Sequence, residues 1–197
     1  MKKDYNLLLV RTVCIFLALC TTGLAGTLSG KVSGGKGASV VYVEAIPGKT
    51  FPAPAAPFTM GQKGLTFRPH ILAVPVGSSV SFLNNDDVDH NIFWPSVGGN
   101  KKQGHNLGTF PAGESRTYKY ETAGVAPLLC NVHPEMSAYI IVVPTPYYVL
   151  TDDSGSYTLS NLPDGEYKVS AWHEGMKVQT KPIAVAGTAS LDFALAK

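Results

Sequence analysis

The chain has 197 residues, 45% of them hydrophobic, with 20 Gly and 14 Pro and a near-balance of 16 basic and 14 acidic residues. That composition suits turn-rich globular structure in one or two small domains. With no basic stripe to neutralise phosphates, it excludes a nucleic-acid partner.

In chain order, Lys2 and Lys3 precede the apolar runs 7–10 and 13–19, and small residues then lead to Gly23, Leu24 and Ala25. This is the pattern of a secretory signal peptide over residues 1–25. Arg11 interrupts the apolar run, leaving it shorter than the roughly 18 residues a membrane span requires, so no transmembrane span is expected after cleavage. The leader would take Lys2, Lys3, Arg11, Asp4, Cys14 and Cys20 with it, leaving a mature chain of zero formal charge with Cys130 as its one thiol. A periplasmic or secreted location follows. There, a thiol without a disulfide partner needs a reason: intermolecular pairing, inert burial or metal ligation.

From Thr27 onward, short segments alternate apolar and polar residues between turn signals: TLSGKV, ASVVYVEA, LTFRPHILAV, SSVSFLN, SRTYKYE, SAYIIVV, SYTLSNL, EYKVSAW and SLDFALA. Period-two alternation rich in β-branched and aromatic residues predicts half-buried strands and an all-β fold. Two Pro-rich breaks, 46–58 and 143–148, are poor central strands and read as connections. Between them lies enough chain for a compact sandwich. Beyond the second break, TDDSG and PDG are read as hairpin turns.

The chemistry concentrates in two places. In the NNDDVDHN phrase, Asn and Asp predict a solvated turn leading to His90. The stretch CNVHPEM sets Cys130, His133 and Met136 on a loop between two strands, stiffened by Pro134. In a sandwich whose loops cluster at its ends, His90 can meet that loop. Two imidazoles, a thiolate and a thioether are soft and borderline donors that suit copper. Zinc also takes Cys and His but has little use for a thioether. His70, His105 and His173 are read as non-ligating.

Residues 57–146 resemble the cupredoxins, the plastocyanin and amicyanin group. The resemblance rests on Phe67 and Pro69, on Gly77, Val80, Phe82, Asn84 and Asp86, then on His90 and Asn91, Gly113 and Tyr118, and the final C-x-x-H-P-x-M. It implies a Greek-key β-sandwich holding one copper ion through His90, Cys130 and His133 in plane and Met136 as a weak axial ligand. It also implies that Asn91 ties the two ligand loops together and that His133 is the electron port.

The phrases TDDSGSYTL and LPDGEYKV resemble the carboxypeptidase regulatory-like family of small transthyretin-like β-sandwiches. That family's opening strands have counterparts only in GKV and ASVVYVEA, before the first break. The expected organisation is therefore a discontinuous domain, residues 27–46 and 147–197, with the cupredoxin domain inserted. The alternative leaves the two early strands with the central domain or as a separate arm.

The function these resemblances imply is that of an exported blue copper protein, not an enzyme, carrying single electrons to and from a transient redox protein partner. Pro127, Leu128, Phe93 or Trp94, and Pro134 are expected to form an apolar docking collar, with Lys101 and Lys102 available for steering. The alternative is a module for copper delivery, storage or resistance.

Overall fold

A computed structural model describes residues 25–197, so the expected leader lies outside the described residues except for Ala25. Strands β1 (Ala25–Ser33) and β2 (Val40–Val43) come first. Nine more follow: β3 (Phe58–Gln62), β4 (Phe67–Arg68), β5 (Ile71–Pro75), β6 (Ser79–Asn84), β7 (His90–Trp94), β8 (His105–Phe110), β9 (Ser115–Lys119), β10 (Gly124–Leu129) and β11 (Ser137–Val143). The last six are β12 (Tyr148–Leu150), β13 (Ser156–Pro163), β14 (Gly165–Trp172), β15 (Gln179–Val185), β16 (Thr188–Ser190) and β17 (Phe193–Ala194). Among the described residues there is one 3-10 turn and no α-helix, and no helix is long and apolar enough to cross a membrane. The all-β class expected from alternation is the class found.

Strands β3 to β11 make two sheets, ordered β5-β11-β10-β7-β8 and β4-β3-β6-β9. Their facing sides enclose a core of Met60, Phe82, Ile92, Trp94, Phe110, Leu128 and Ile140, all fully or almost fully buried. The strand expected as LTFRPHILAV is two strands, β4 and β5, because Pro69 has no amide hydrogen to continue a ladder.

The early strands pair across a long sequence gap. Strand β1 pairs with β13, β16 and β17, and β2 lies between β12 and β14. The chain leaves β2 and re-enters β12 at one point: Thr145 Oγ1 donates to Val43 O at 2.8 Å, and Val43 N donates to Tyr147 O at 2.9 Å. A second core, with Leu28, Val41, Leu162, Val169 and Phe193 at its centre, fills the space between these two sheets.

TDDSG and PDG are not hairpins. Strand β12 belongs to the β2 sheet and β13 to the β1 sheet, so both turns are corners that carry the chain between facing sheets. At the first, Asp152 Oδ1 accepts from the amides of Ser154 and Ser156. The second is closed by the Tyr167 hydroxyl, which donates to Pro163 O at 2.6 Å. Asn, Asp, Pro and Gly permit a tight reversal whichever sheet receives the next strand, so the sequence signal is the same for both.

A third apolar cluster joins the two sandwiches: Ile71 and Ala73 of β5 and Ile141 and Val143 of β11 pack on Val40 of β2 and Trp172 of β14. Strand β11 is therefore buried on both faces over most of its length, not half-buried as its alternation suggested. This accounts for the near-continuous run AYIIVV, the pattern of a strand covered on both sides.

Candidate metal centre

His90 opens β7, and its approach is set by Asn84 at the end of β6. The Asn84 amide donates to Val88 O at 2.8 Å and Phe110 O at 3.2 Å, and Asn84 Oδ1 accepts from the Asp86 amide. These bonds fold the chain so that His90 enters the sandwich opposite Phe110, fully buried. The second loop is the connection of a hairpin: β10 and β11 pair through Leu129 and Ser137, and residues 130–136 close it, with Met136 N donating to His133 O.

The two loops converge. His90 Nδ1 lies 3.1 Å from His133 Nδ1, Cys130 Sγ lies 4.0 Å from His133 Nδ1, and the three donor atoms are all within 4.8 Å of one another. With metal–nitrogen and metal–sulfur bonds of about 2.0 to 2.3 Å, donors of one ion lie up to about 4.5 Å apart, the scale of this cluster. Cys130 is buried and is the one free cysteine among the described residues. The amides of Asn91 and His133 both donate to its sulfur at 3.4 Å, placing partial positive charge where a bound thiolate would be negative. Met136 is buried in the same core cluster as Cys130. The donor set fits a soft or borderline ion.

Asn91 lies between the two loops. Its Oδ1 accepts from Asn131 N at 3.4 Å and its amide donates to Asn106 Oδ1 at 2.9 Å. It can reach both because the β7–β8 register shifts between Asn91 and Phe93, a bulge that re-aims the side chain.

Asp86 is a residue whose importance the sequence concealed. The NNDD phrase is not simply a solvated turn: Asn84 is fully buried and the Asp86 side chain is 10% exposed. Its Oδ2 meets His90 Nε2 at 2.8 Å and Leu65 N at 3.0 Å, while Oδ1 accepts from Gly64 N at 2.6 Å. Burial opposes ionisation, but the Gly64 and Leu65 amides and the His90 ring together hold its carboxyl down to about 2. A carboxylate on Nε2 keeps the hydrogen there and leaves Nδ1 of His90 free to face Cys130 and His133. The Asn and Asp spacing was visible in the sequence, but not the distant turn that shares the carboxylate.

The expected collar is partly corrected. Leu128 and Trp94 point into the core and are buried, because inward positions on β10 and β7 fill the sandwich. Phe93 and Pro127 are half-buried and Pro134 is exposed. The large apolar groups that do stand exposed near the cluster are Val132, between Cys130 and His133, Val88, just before His90, and Leu65 on the turn held by Asp86. His133 is half-buried. Lys101 and Lys102 follow the end of β7 opposite His90 and so do not adjoin the cluster. His105 packs at a tilt against Trp94 and Tyr118, and His173 lies buried between Lys36 O and Glu174 O. His70 bridges the two sandwiches.

Residues 134–196 match the carboxypeptidase regulatory-like domain family. The match starts upstream of β12: within it, Ser137–Val143 pair with β10 and β5 in the other sandwich. No curated protein matches the chain. Among solved structures, it is similar to a reduced mutant of amicyanin, with 17% identity over 46% of this chain and 85% of that one and a TM-score of 0.41. It is also similar to a purple cupredoxin from Nitrosopumilus maritimus (26% identity, 43% and 98% covered, TM-score 0.39). A third is the copper-containing nitrite reductase of Thermus scotoductus SA-01 (24% identity, 52% and 25% covered, TM-score 0.43).

Proposed function

We propose that this chain is an exported type 1 copper protein that carries single electrons between redox partners and is not itself an enzyme. The observation that supports this most is the convergence of His90 Nδ1, His133 Nδ1 and Cys130 Sγ from two separate loops at the end of one rigid sandwich. Two imidazoles and one thiolate, with the buried thioether of Met136 as a further donor, would hold the ion with the donor set of a blue copper centre. Copper bound there would supply a one-electron couple between its two oxidation states.

The chain's own residues do the rest. Asp86 fixes the His90 tautomer, Asn91 holds the loops in register, and the core packing of Cys130 and Met136 resists rearrangement between oxidation states. Four protein donors leave no open position for a substrate. His133 is the proposed electron port, and Val132, Val88, Leu65 and Pro134 supply the apolar surround for brief, weak docking of a redox protein, as small electron-transfer interfaces require.

Residues 27–46 and 147–197 are proposed to form one discontinuous regulatory-like sandwich, with the cupredoxin-like unit 57–146 inserted between β2 and β12. The cross-gap pairing of β1 and β2 supports this organisation. Residues 1–25 are proposed to be an export signal, giving a periplasmic or secreted protein.

The test is electrochemical. The copper-loaded chain should show reversible one-electron reduction with fast self-exchange. Slow exchange together with rapid copper loss to a chelator would replace the carrier reading with copper delivery or storage.

A further inference from the structure

A second sandwich packs on the first. Their contact is not apolar alone. His70, in the short connection between β4 and β5, accepts from Tyr139 N through its carbonyl at 2.9 Å, and its Nδ1 meets Ser137 O at 3.2 Å. Ser137 is the first residue of β11 and directly follows Met136, so His70 fastens the point where residues 130–136 rejoin the sheet.

From the other sandwich, Glu174, in the connection between β14 and β15, reaches the same place with both carboxylate oxygens. Oε2 meets His70 Nε2 at 2.7 Å and Oε1 accepts from the Tyr139 hydroxyl at 3.0 Å. Glu174 is itself held: His173 Nδ1 lies 2.7 Å from the Glu174 carbonyl, and His173 Nε2 lies 3.0 Å from Lys36 O. The Tyr139 ring also packs on Trp172, with centroids 5.2 Å apart. A continuous set of contacts thus runs from the 34–39 connection of the regulatory-like sandwich, through His173 and Glu174, to His70 and the end of the loop that carries Cys130, His133 and Met136.

We propose that Glu174 and His70 are positioning residues through which the regulatory-like sandwich fixes the ligand loop of the metal centre from across the interface. This rests on the reading of residues 130–136 as a metal-ligand loop, but the contact it describes belongs to the metal-free chain as well. Among the described residues of the second sandwich, Glu174 alone hydrogen-bonds His70 and Tyr139, so removing its carboxylate should loosen the loop without unfolding either core.

The experiment compares the full mature chain with Glu174→Ala, Glu174→Gln and, as a packing control at the same interface, Val40→Ala. Hydrogen exchange is measured on the metal-free proteins at the amides of Asn131, His133, Met136 and Tyr139. Losing the half-exposed His70 pair together with the Tyr139 hydroxyl bond corresponds to about a tenfold change in local opening, so these amides should exchange about tenfold faster in Glu174→Ala. Glu174→Gln, whose amide oxygen can still accept from Tyr139, should be intermediate. Val40→Ala should lower global stability while leaving exchange in the loop, relative to the core, as in the wild type.

After Cu(II) addition, the electron paramagnetic resonance hyperfine splitting should move in both Glu174 variants and stay fixed in Val40→Ala. Loop exchange unchanged in Glu174→Ala, or equal loop and spectral changes in Val40→Ala, would overturn the proposal. If the wild type takes no copper, the metal reading fails, and the exchange data still decide whether the bridge holds the loop.

Discussion

Asp86 offers the sharpest test of how the centre is organised. In Asp86→Ala three hydrogen bonds are lost. The amides of Gly64 and Leu65 sit on an exposed turn and can be rehydrated, so each costs about 0.5–1.5 kcal/mol. His90 is fully buried, and an unpartnered ring N–H there costs about 1–3 kcal/mol. The expected loss is about 2–6 kcal/mol, read as a lower urea midpoint of the metal-free protein at unchanged slope.

Asp86→Asn separates stability from tautomer. The Asn carbonyl can keep a turn amide, but its NH2 group toward His90 favours hydrogen on Nδ1, the nitrogen that faces Cys130 and His133. Metal affinity should therefore fall about 10- to 100-fold, while stability falls less than in the Ala variant. Competition with a chromophoric chelator measures it. Asp86→Ala within about 0.5 kcal/mol of wild type, with Asp86→Asn binding copper as the wild type does, would refute the role given to this carboxylate.

Other consequences can be checked directly. Leu65 has φ of 56°, a left-handed conformation that costs an ordinary residue about 1–2 kcal/mol, so Leu65→Asn should raise stability by several tenths to about 1 kcal/mol in urea unfolding. Leu128→Ala should cost about 2–5 kcal/mol because the side chain is fully buried, whereas Val132→Ser should leave stability unchanged and slow reduction by a partner protein. The His70 ring holds the Glu174 carboxyl below its ordinary 4.5, against burial and with help from Tyr139. A depressed carboxylate stabilises the fold above its unfolded-state pKa and loses that contribution as pH falls through the folded value. The stability difference between wild type and Glu174→Gln should thus shrink as pH falls below 4.5, as followed by thermal melts across that range.

What the sequence made legible was what depends on local period and donor type. Alternation marks most of the strands, and the spacing of Cys130, His133 and Met136 marks the loop on which the proposed metal reading rests. Most of the failures share a cause, which is that the deciding partner lies far away in sequence. Asp86 looked like one more solvated turn residue because its second and third bonds go to Gly64 and Leu65. Leu128 and Trp94 looked like collar residues because loop position says nothing of which face of a strand points inward. β11 looked half-buried because the sandwich that covers its outer face is built partly from residues before the first break. His70 read as bland for the same reason, since Glu174 lies 104 positions away.

The central claim is that His90, Cys130 and His133 share one copper ion. Titration of the purified mature chain with Cu(II), followed by visible absorption, tests it most directly. The account predicts an intense thiolate-to-copper charge-transfer band that saturates at one equivalent and is absent in Cys130→Ser. A wild-type protein that stays colourless with Cu(II), or a band that survives in Cys130→Ser, would contradict it.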